Sequence, residues 1–217
     1  GLIDLDSASS VFISNCTVVG GIERTGGIAG EISGSVIAEK FAIQDCFVDG
    51  GSSSEVGGII GYVSATLNNS IAINTIVEGW NDIGIAVGIN WGTVENSLID
   101  GAINQSQTTD AGALVGHNRF GTTKNSVVGN VTYQKETVLG VVGNQEGTLT
   151  NTHWYNKTGS PEDCHNNGNT GCTATTNLDD FQGVGISSTS PFDSWDFTNV
   201  WMEQSGDYPC LRGVSCS

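Results

Sequence analysis

Basic side chains are scarce: 7 Lys and Arg face 23 Asp and Glu in 217 residues, a formal net charge of −16. Seven cations scattered singly cannot neutralise a phosphate backbone, which excludes nucleic acid as a partner, and the acidic balance repels anionic membrane surfaces. Charged residues of both signs make up only 14% of the chain, against about 25% in an average domain, so Asn, Ser, Thr and Gly must make the surface polar. No apolar run approaches the roughly 18 residues of a membrane span, so no membrane insertion is expected, and the first residues lack the basic and apolar regions of a signal peptide. The opening Gly1-Leu2-Ile3-Asp4 reads as a processed product or a fragment. No stretch sustains the i, i+3, i+4, i+7 spacing of an amphipathic helix, so little helix is expected.

Catalytic signatures are missing as well. There is no nucleophile elbow, no His-Glu-x-x-His and no phosphate loop. Arg24, Lys40, Arg119, Lys124, Lys135, Lys157 and Arg212 do not recur in one repeat column beside acids, as an eliminating β-helix enzyme would need. Asp179 and Asp180 are adjacent, which aims neighbouring side chains apart on a strand. His117, His153 and His165 fall at different repeat phases and read as surface or turn residues. No enzyme activity, catalytic residue, metal or cofactor is therefore expected. Asp49, Glu78 and Asp100 each precede a glycine at a turn; if stacked, they set like charges about 5 Å apart, which favours solvation or a bridging cation.

What is present is a repeat. Thr25-Gly-Gly-Ile-Ala-Gly30, Val56-Gly-Gly-Ile-Ile-Gly61, Ile83-Gly-Ile-Ala-Val-Gly88, Ala111-Gly-Ala-Leu-Val-Gly116 and Val138-Leu-Gly-Val-Val-Gly143 align, their last glycines 31, 27, 28 and 27 residues apart. A second column reads Asn15-Cys16, Asp45-Cys46, Asn69-Ser70, Asn96-Ser97, Asn125-Ser126 and Asn151-Thr152. Each unit holds two short apolar segments separated by turn residues. Such a unit cannot bury its apolar face alone, whereas stacked units bury a continuous interior. The expected architecture is an all-β, right-handed parallel β-helix (solenoid) of about six coils over residues 1–152, a rod on the order of 30 Å long at about 4.8 Å per coil. The glycine column suits a corner needing positive φ or close backbone approach. The column Asn15, Asp45, Asn69, Asn96, Asn125, Asn151 suits an inward ladder of side-chain amides bonding from coil to coil.

Composition changes at His153. Eight of the 16 aromatic residues, four of six cysteines and all three prolines lie in residues 153–217, which are expected to form an aromatic, disulfide-containing cap over the C-terminal end of the solenoid. Short spacings favour disulfides Cys164–Cys172 and Cys210–Cys216 in an oxidising compartment. Cys16 and Cys46 share a column in adjacent coils, within disulfide reach, with reduced buried thiols as the alternative. Glycosylation triplets stand at Asn15, Asn68, Asn104, Asn130 and Asn156. Asn104, Asn130 and Asn156 follow second strands, where loops should be exposed, and Asn15 should be spared inside the ladder.

The glycine core followed by Asn-Ser resembles the GLUG-type repeat of β-helical surface proteins over about residues 14–152, with departures at Ile85, Ala113 and Leu139. Ser194-Trp-Asp-Phe-Thr-Asn-Val-Trp201 and Asp207-Tyr-Pro-Cys-Leu-Arg212 look like the ending that closes many of them. The resemblance implies a secreted or cell-surface solenoid, adhesive or structural, with no fixed catalytic residues. The expected function is a non-catalytic extracellular protein serving as a filament protomer or as the stalk or adhesive segment of a larger surface protein. Its strand-like beginning, Leu2-Ile-Asp-Leu5, would be covered by head-to-tail self-association or by upstream coils. The alternative is a carbohydrate-binding or carbohydrate-active β-helix, with glycans meeting Trp80 or Trp91.

Overall fold

The computed structural model describes residues 8–105, 110–134, 138–157, 161 and 163–216. Parallel strands wind into a solenoid of about five turns, with no α-helix among the described residues. The expected opening strand, residues 2–5, lies outside the described residues.

One turn shows the plan. Thr66–Asn68 and Ile71–Gly79 lie in a large sheet of 14 strands, Ile83–Gly84 in a sheet of three, and Val87–Asn90 in a sheet of five. Equivalent residues stack from turn to turn: Ile60, Val87, Val115 and Val142 make one interior column, and all four are inaccessible to solvent. Fully burying each such side chain contributes roughly 1.5–3 kcal/mol, and stacking supplies the apolar neighbours that a single turn lacks.

The glycine corner works by close approach. A Cβ on Gly88 would meet the Gly61 carbonyl oxygen at 2.5 Å and the Val56 nitrogen at 2.6 Å, distances that only a hydrogen can occupy. Left-handed backbone falls instead to positions that are mostly Asn or Asp, but in two columns where the sequence shows one. Glu39 pairs with Asn68, which sets Lys40 opposite Asn69; Gln44 pairs with Ile73, which sets Asp45 opposite Asn74. One column is thus Ser10, Lys40, Asn69, Asn96, Asn125 and Asn151, and the other Asn15, Asp45 and Asn74, with φ between 46° and 66° throughout. Short polar side chains tolerate this conformation best.

The ladder is correspondingly interrupted. Asn151 Nδ2 donates to Asn125 Oδ1 at 2.9 Å, and Asn74 Nδ2 donates to Asp45 Oδ1 at 2.6 Å. The Asn69 and Asn96 amides step aside to Glu39 (3.0 Å) and Asn68 (2.9 Å). Asn15 and Asp45 are exposed rather than inward. A continuous buried amide ladder runs elsewhere: Asn90 Nδ2 donates to Asn118 Oδ1 (3.0 Å) and Asn118 Nδ2 to Gln145 Oε1 (3.1 Å), at the ends of strands in the five-stranded sheet.

Disulfides join Cys16–Cys46, Cys164–Cys172 and Cys210–Cys216, with Cα separations of 4.6, 6.4 and 5.2 Å. The first crosses adjacent turns, as the shared column requires.

The C-terminal region divides its work. The disulfide-bonded segment around Cys164 covers the end: the N–H groups of Val141 and Val142 both donate to the Cys164 carbonyl, and Cys172–Thr175 adds a last parallel strand beside Thr152–Tyr155. The aromatic part lies along the flank instead of over the end. Phe181, Phe192, Trp195, Trp201, Tyr208 and Leu211 pack on Ala42, Ile71, Leu98 and Val127, which stack in register on the outer surface of the large sheet. Those four are followed by inward apolar residues Ile43, Ala72, Ile99 and Val128, so this sheet is apolar on both faces and needs a cover on its outside. Trp195 Nε1 donates to the Asn125 carbonyl (2.9 Å) and Trp201 Nε1 to Asn69 Oδ1 (3.1 Å), pinning the cover to the left-handed column.

Candidate functional site

The turn at the glycine corner is tight enough to fold residue n against residue n+7. Arg24 meets Glu31 in this way, and Asp110 meets His117. Stacking then lines up equivalent residues. Arg24 pairs in register with Glu55, and the pairing of Val56 with Ile83 and the bridge from Ile83 to Ala111 carry that column through Asp82 to Asp110. The facing column reads Glu31, Tyr62, Ile89, His117 and Asn144. A strip of acids therefore runs along one corner, with a single Arg at one end and a His near the other.

Arg24 holds the first part together. Its Nε donates to Glu55 Oε2 at 2.7 Å, its Nη1 pairs with Glu31, and its guanidinium stacks 4.1 Å from the Tyr62 ring centroid. Burial nevertheless pushes the Glu55 carboxyl above its ordinary range, outweighing the attraction of Arg24.

In the second part no Lys or Arg among the described residues makes an ion pair, and the Arg119 charge acts on Asp82 only from a distance. His117 Nδ1 lies 3.6 Å from Asp82 Oδ1 and 3.9 Å from Asp110 Oδ2, and His117 Nε2 lies 3.4 Å from Glu146 Oε1. Asp82 is 6% exposed and its Oδ1 has no hydrogen-bond partner; His117 Nε2 has none either. Asn81 Nδ2 holds the other oxygen of Asp82 at 2.9 Å, and Asn144 Nδ2 reaches Asp110 Oδ2 at 3.3 Å. Burial raises the Asp82 carboxyl, while the Asp82 carboxylate beside it raises the His117 imidazole against the opposing effect of burial. One ligand atom from each of Asp82, Asp110 and His117 lies within 4.8 Å of the others, an arrangement that could hold a metal ion.

His117 is thus neither a surface nor a turn residue: it sits in Val115–Asn118 with a side chain 12% exposed. His153 also lies in a strand, half-buried, and His165 is buried with Nε2 3.0 Å from the Thr170 carbonyl. Of the acids preceding turn glycines, Asp49 and Glu78 stack, but Asp100 does not join them. Glu78 pairs with Asn104 in the next turn, and Asp100 falls at the register shift between Ala72 and Thr75. Asp100 instead accepts the Asn130 N–H at 3.1 Å, which Tyr208 Oη also accepts at 2.9 Å. The pair Asp179-Asp180 opens a 3-10 helix capped by Asn177.

The glycosylation residues separate by exposure. Asn130 is exposed, as expected, and so is Asn15. Asn104 is half-buried within Leu98–Gln105, because the second strand of that turn runs on through it, and Asn156 is half-buried with its N–H donating to the Thr175 carbonyl. Asn68 is half-buried and occupied as the acceptor of Asn96.

Trp91 and Trp80 are 39% and 50% exposed. Trp91 stands between Tyr62 (centroids 6.5 Å) and Phe120 (4.9 Å), with the Arg119 guanidinium 5.3 Å from its ring. No protein-family model matches the chain, nor does any curated protein or solved structure. The fold defines the class of protein, a disulfide-linked parallel β-solenoid. No helix among the described residues is long and apolar enough to cross a membrane.

Proposed function

We propose that the protein is a non-catalytic extracellular structural solenoid, the stalk or adhesive segment of a larger surface protein or a filament protomer. The observation that carries this reading is the first turn. Ala8–Ser14, Thr17–Val19, Arg24–Gly26 and Ala29–Ile32 each pair on one side only among the described residues, and Val19 and Ile22 beside that edge are 73% and 82% exposed. An open parallel edge is a template for another chain or for further coils. The disulfide-bonded segment over the C-terminal end favours the stalk or adhesive form, because it covers the five-stranded sheet there, although Thr148–Thr150 and Cys172–Thr175 each pair on one side only among the described residues. Three disulfides fit an oxidising compartment and not the reducing cytosol, and the GLUG-like columns support a place at the cell surface.

A second reading, glycan binding, is favoured by one feature: Tyr62, Trp91 and Phe120 form an exposed aromatic strip on which sugar rings could stack. Electron microscopy of native material tests the first reading. It should show the solenoid continuing a longer stalk or repeating along a fibre. Isolated particles of this size that bind a soluble oligosaccharide, and lose it on Trp91→Ala, would replace it with the second.

A further inference from the structure

We propose that Asp82, Asp110 and His117 form a divalent transition-metal site, with zinc as the best fit, that cross-links two neighbouring turns. The argument starts from a buried oxygen. Asp82 Oδ1 is enclosed and receives no hydrogen bond, although Asn81 satisfies the other oxygen of the same carboxylate. An unpaired carboxylate oxygen in such a place is costly unless a cation or a proton stands beside it. An imidazole nitrogen lies 3.6 Å from it, too far for a good hydrogen bond, and a second carboxylate oxygen lies 3.9 Å from that nitrogen.

Those spacings suit an ion. Bonds of about 2.0–2.2 Å in tetrahedral geometry separate ligand atoms by about 3.3–3.6 Å. The observed 3.6 and 3.9 Å to the imidazole need only a small contraction, and the two carboxylate oxygens, within 4.8 Å of each other, would draw together around the ion. The surrounding groups also match what metal ligands require. Glu146 Oε1 lies 3.4 Å from the far nitrogen of His117 without a hydrogen bond to it, and a small rotation on metal binding would let it accept that N–H and leave Nδ1 free to bind; Asn144 and Asn81 orient the two carboxylates. One imidazole with two carboxylates suits zinc, cobalt or manganese, whereas calcium prefers an all-oxygen shell. Asp82 belongs to one turn and Asp110 and His117 to the next, so the ion would tie the turns together as Cys16–Cys46 does elsewhere. Three protein ligands leave a fourth position for water or for a group from a docking partner.

The test titrates the chelator-treated 217-residue chain with Zn(II) at pH 7, and with Co(II) followed by its visible absorption. One equivalent should bind with a dissociation constant of about 10 μM or tighter, calcium at least about tenfold more weakly. Asp82→Asn and His117→Gln should each weaken zinc binding at least about tenfold while circular dichroism stays unchanged. Zinc should also raise the thermal midpoint of the unaltered protein and not that of either variant. Absence of saturable binding, or binding that both variants retain, would overturn the site and leave a proton shared among the three side chains. Should a variant misfold, the unaltered protein still decides: zinc must shift the ring-nitrogen resonances of His117, and a shift confined to His153 or His165 refutes the proposal.

Discussion

Asn125 carries three duties: φ of 49°, acceptance of the Asn151 amide through its side chain, and acceptance of Trp195 Nε1 through its carbonyl. Replacing it tests which of these matters. Asn125→Ala loses the side-chain bond and adds left-handed strain, for a loss of about 1–2 kcal/mol in urea unfolding. Asn125→Gly loses the same bond but tolerates the backbone, so it should be the less damaging of the two. Asp100 gives a pH prediction at the same scale. Burial raises its carboxyl, aided by nearby Asp207 and opposed by the Tyr208 hydroxyl and the Asn130 N–H. With the folded value above the unfolded one of about 3.9, the stability linked to this group is fully present below about pH 4 and is lost as pH rises through the folded value. Asp100→Asn should therefore flatten the decline in stability between pH 4 and 7, read as urea midpoints, and raise the midpoint at pH 7. An unchanged slope would show that the carboxyl is not held protonated more tightly in the fold.

Between elements, the flank cover is the part most open to dissection. Trp201 is fully buried, packs against Trp195 at 4.3 Å between centroids, and donates to Asn69 across 132 residues of sequence. Trp201→Ala should cost about 3–5 kcal/mol and expose the region after residue 175 to limited proteolysis before the solenoid unfolds. Simultaneous loss of both would show that cover and solenoid form one cooperative unit. The strand units were legible because the glycine corner recurs at nearly constant spacing and stacked backbones punish any Cβ there. The flank cover was not read from the sequence, which suggested an aromatic cap over the end; its signal lay in Ile71-Ala72, Leu98-Ile99 and Val127-Val128, whose adjacent apolar residues mean a sheet buried on both faces, because aromatic composition alone does not say which surface is covered. Column membership of Asp45 was not legible. Two left-handed corners occupy the same long turn, and only the strand register assigns Asp45 to Asn74. The Asp82, Asp110 and His117 cluster was hidden for a similar reason. Its members are 7 and 28 residues apart in sequence, and that spacing acquires meaning only once a tight corner folds n onto n+7 and a turn of 28 stacks Asp110 on Asp82.

At the scale of the whole molecule, the two ends are unequal. The C-terminal edge of the five-stranded sheet is used: Val141 and Val142 donate to Cys164, and the Gln145 N–H donates to Asn166 Oδ1. The first turn has no such cover among the described residues, and Phe12, Val19 and Ile22 stand exposed beside it. Thr148–Thr150 and Cys172–Thr175 also pair on one side only at the other end, but the exposed apolar side chains stand at the first turn, so contact is expected to join first turn to first turn. Such an isologous contact closes at a dimer, whereas a head-to-tail contact would join unlike surfaces and extend into a fibre. Each chain carries a net charge of −16, so the dimer should strengthen as salt screens the repulsion over a Debye length of about 10 Å at 0.1 M. Sedimentation equilibrium of the 217-residue chain across salt measures this. Val19→Lys and Val19→Asp should both abolish association although they move net charge in opposite directions, because either places a charge on the apolar edge. Opposite effects of the two would mean that net charge, and not the edge, controls assembly. A strictly monomeric protein at every salt concentration would leave upstream coils of a longer chain as the natural cover of the first turn.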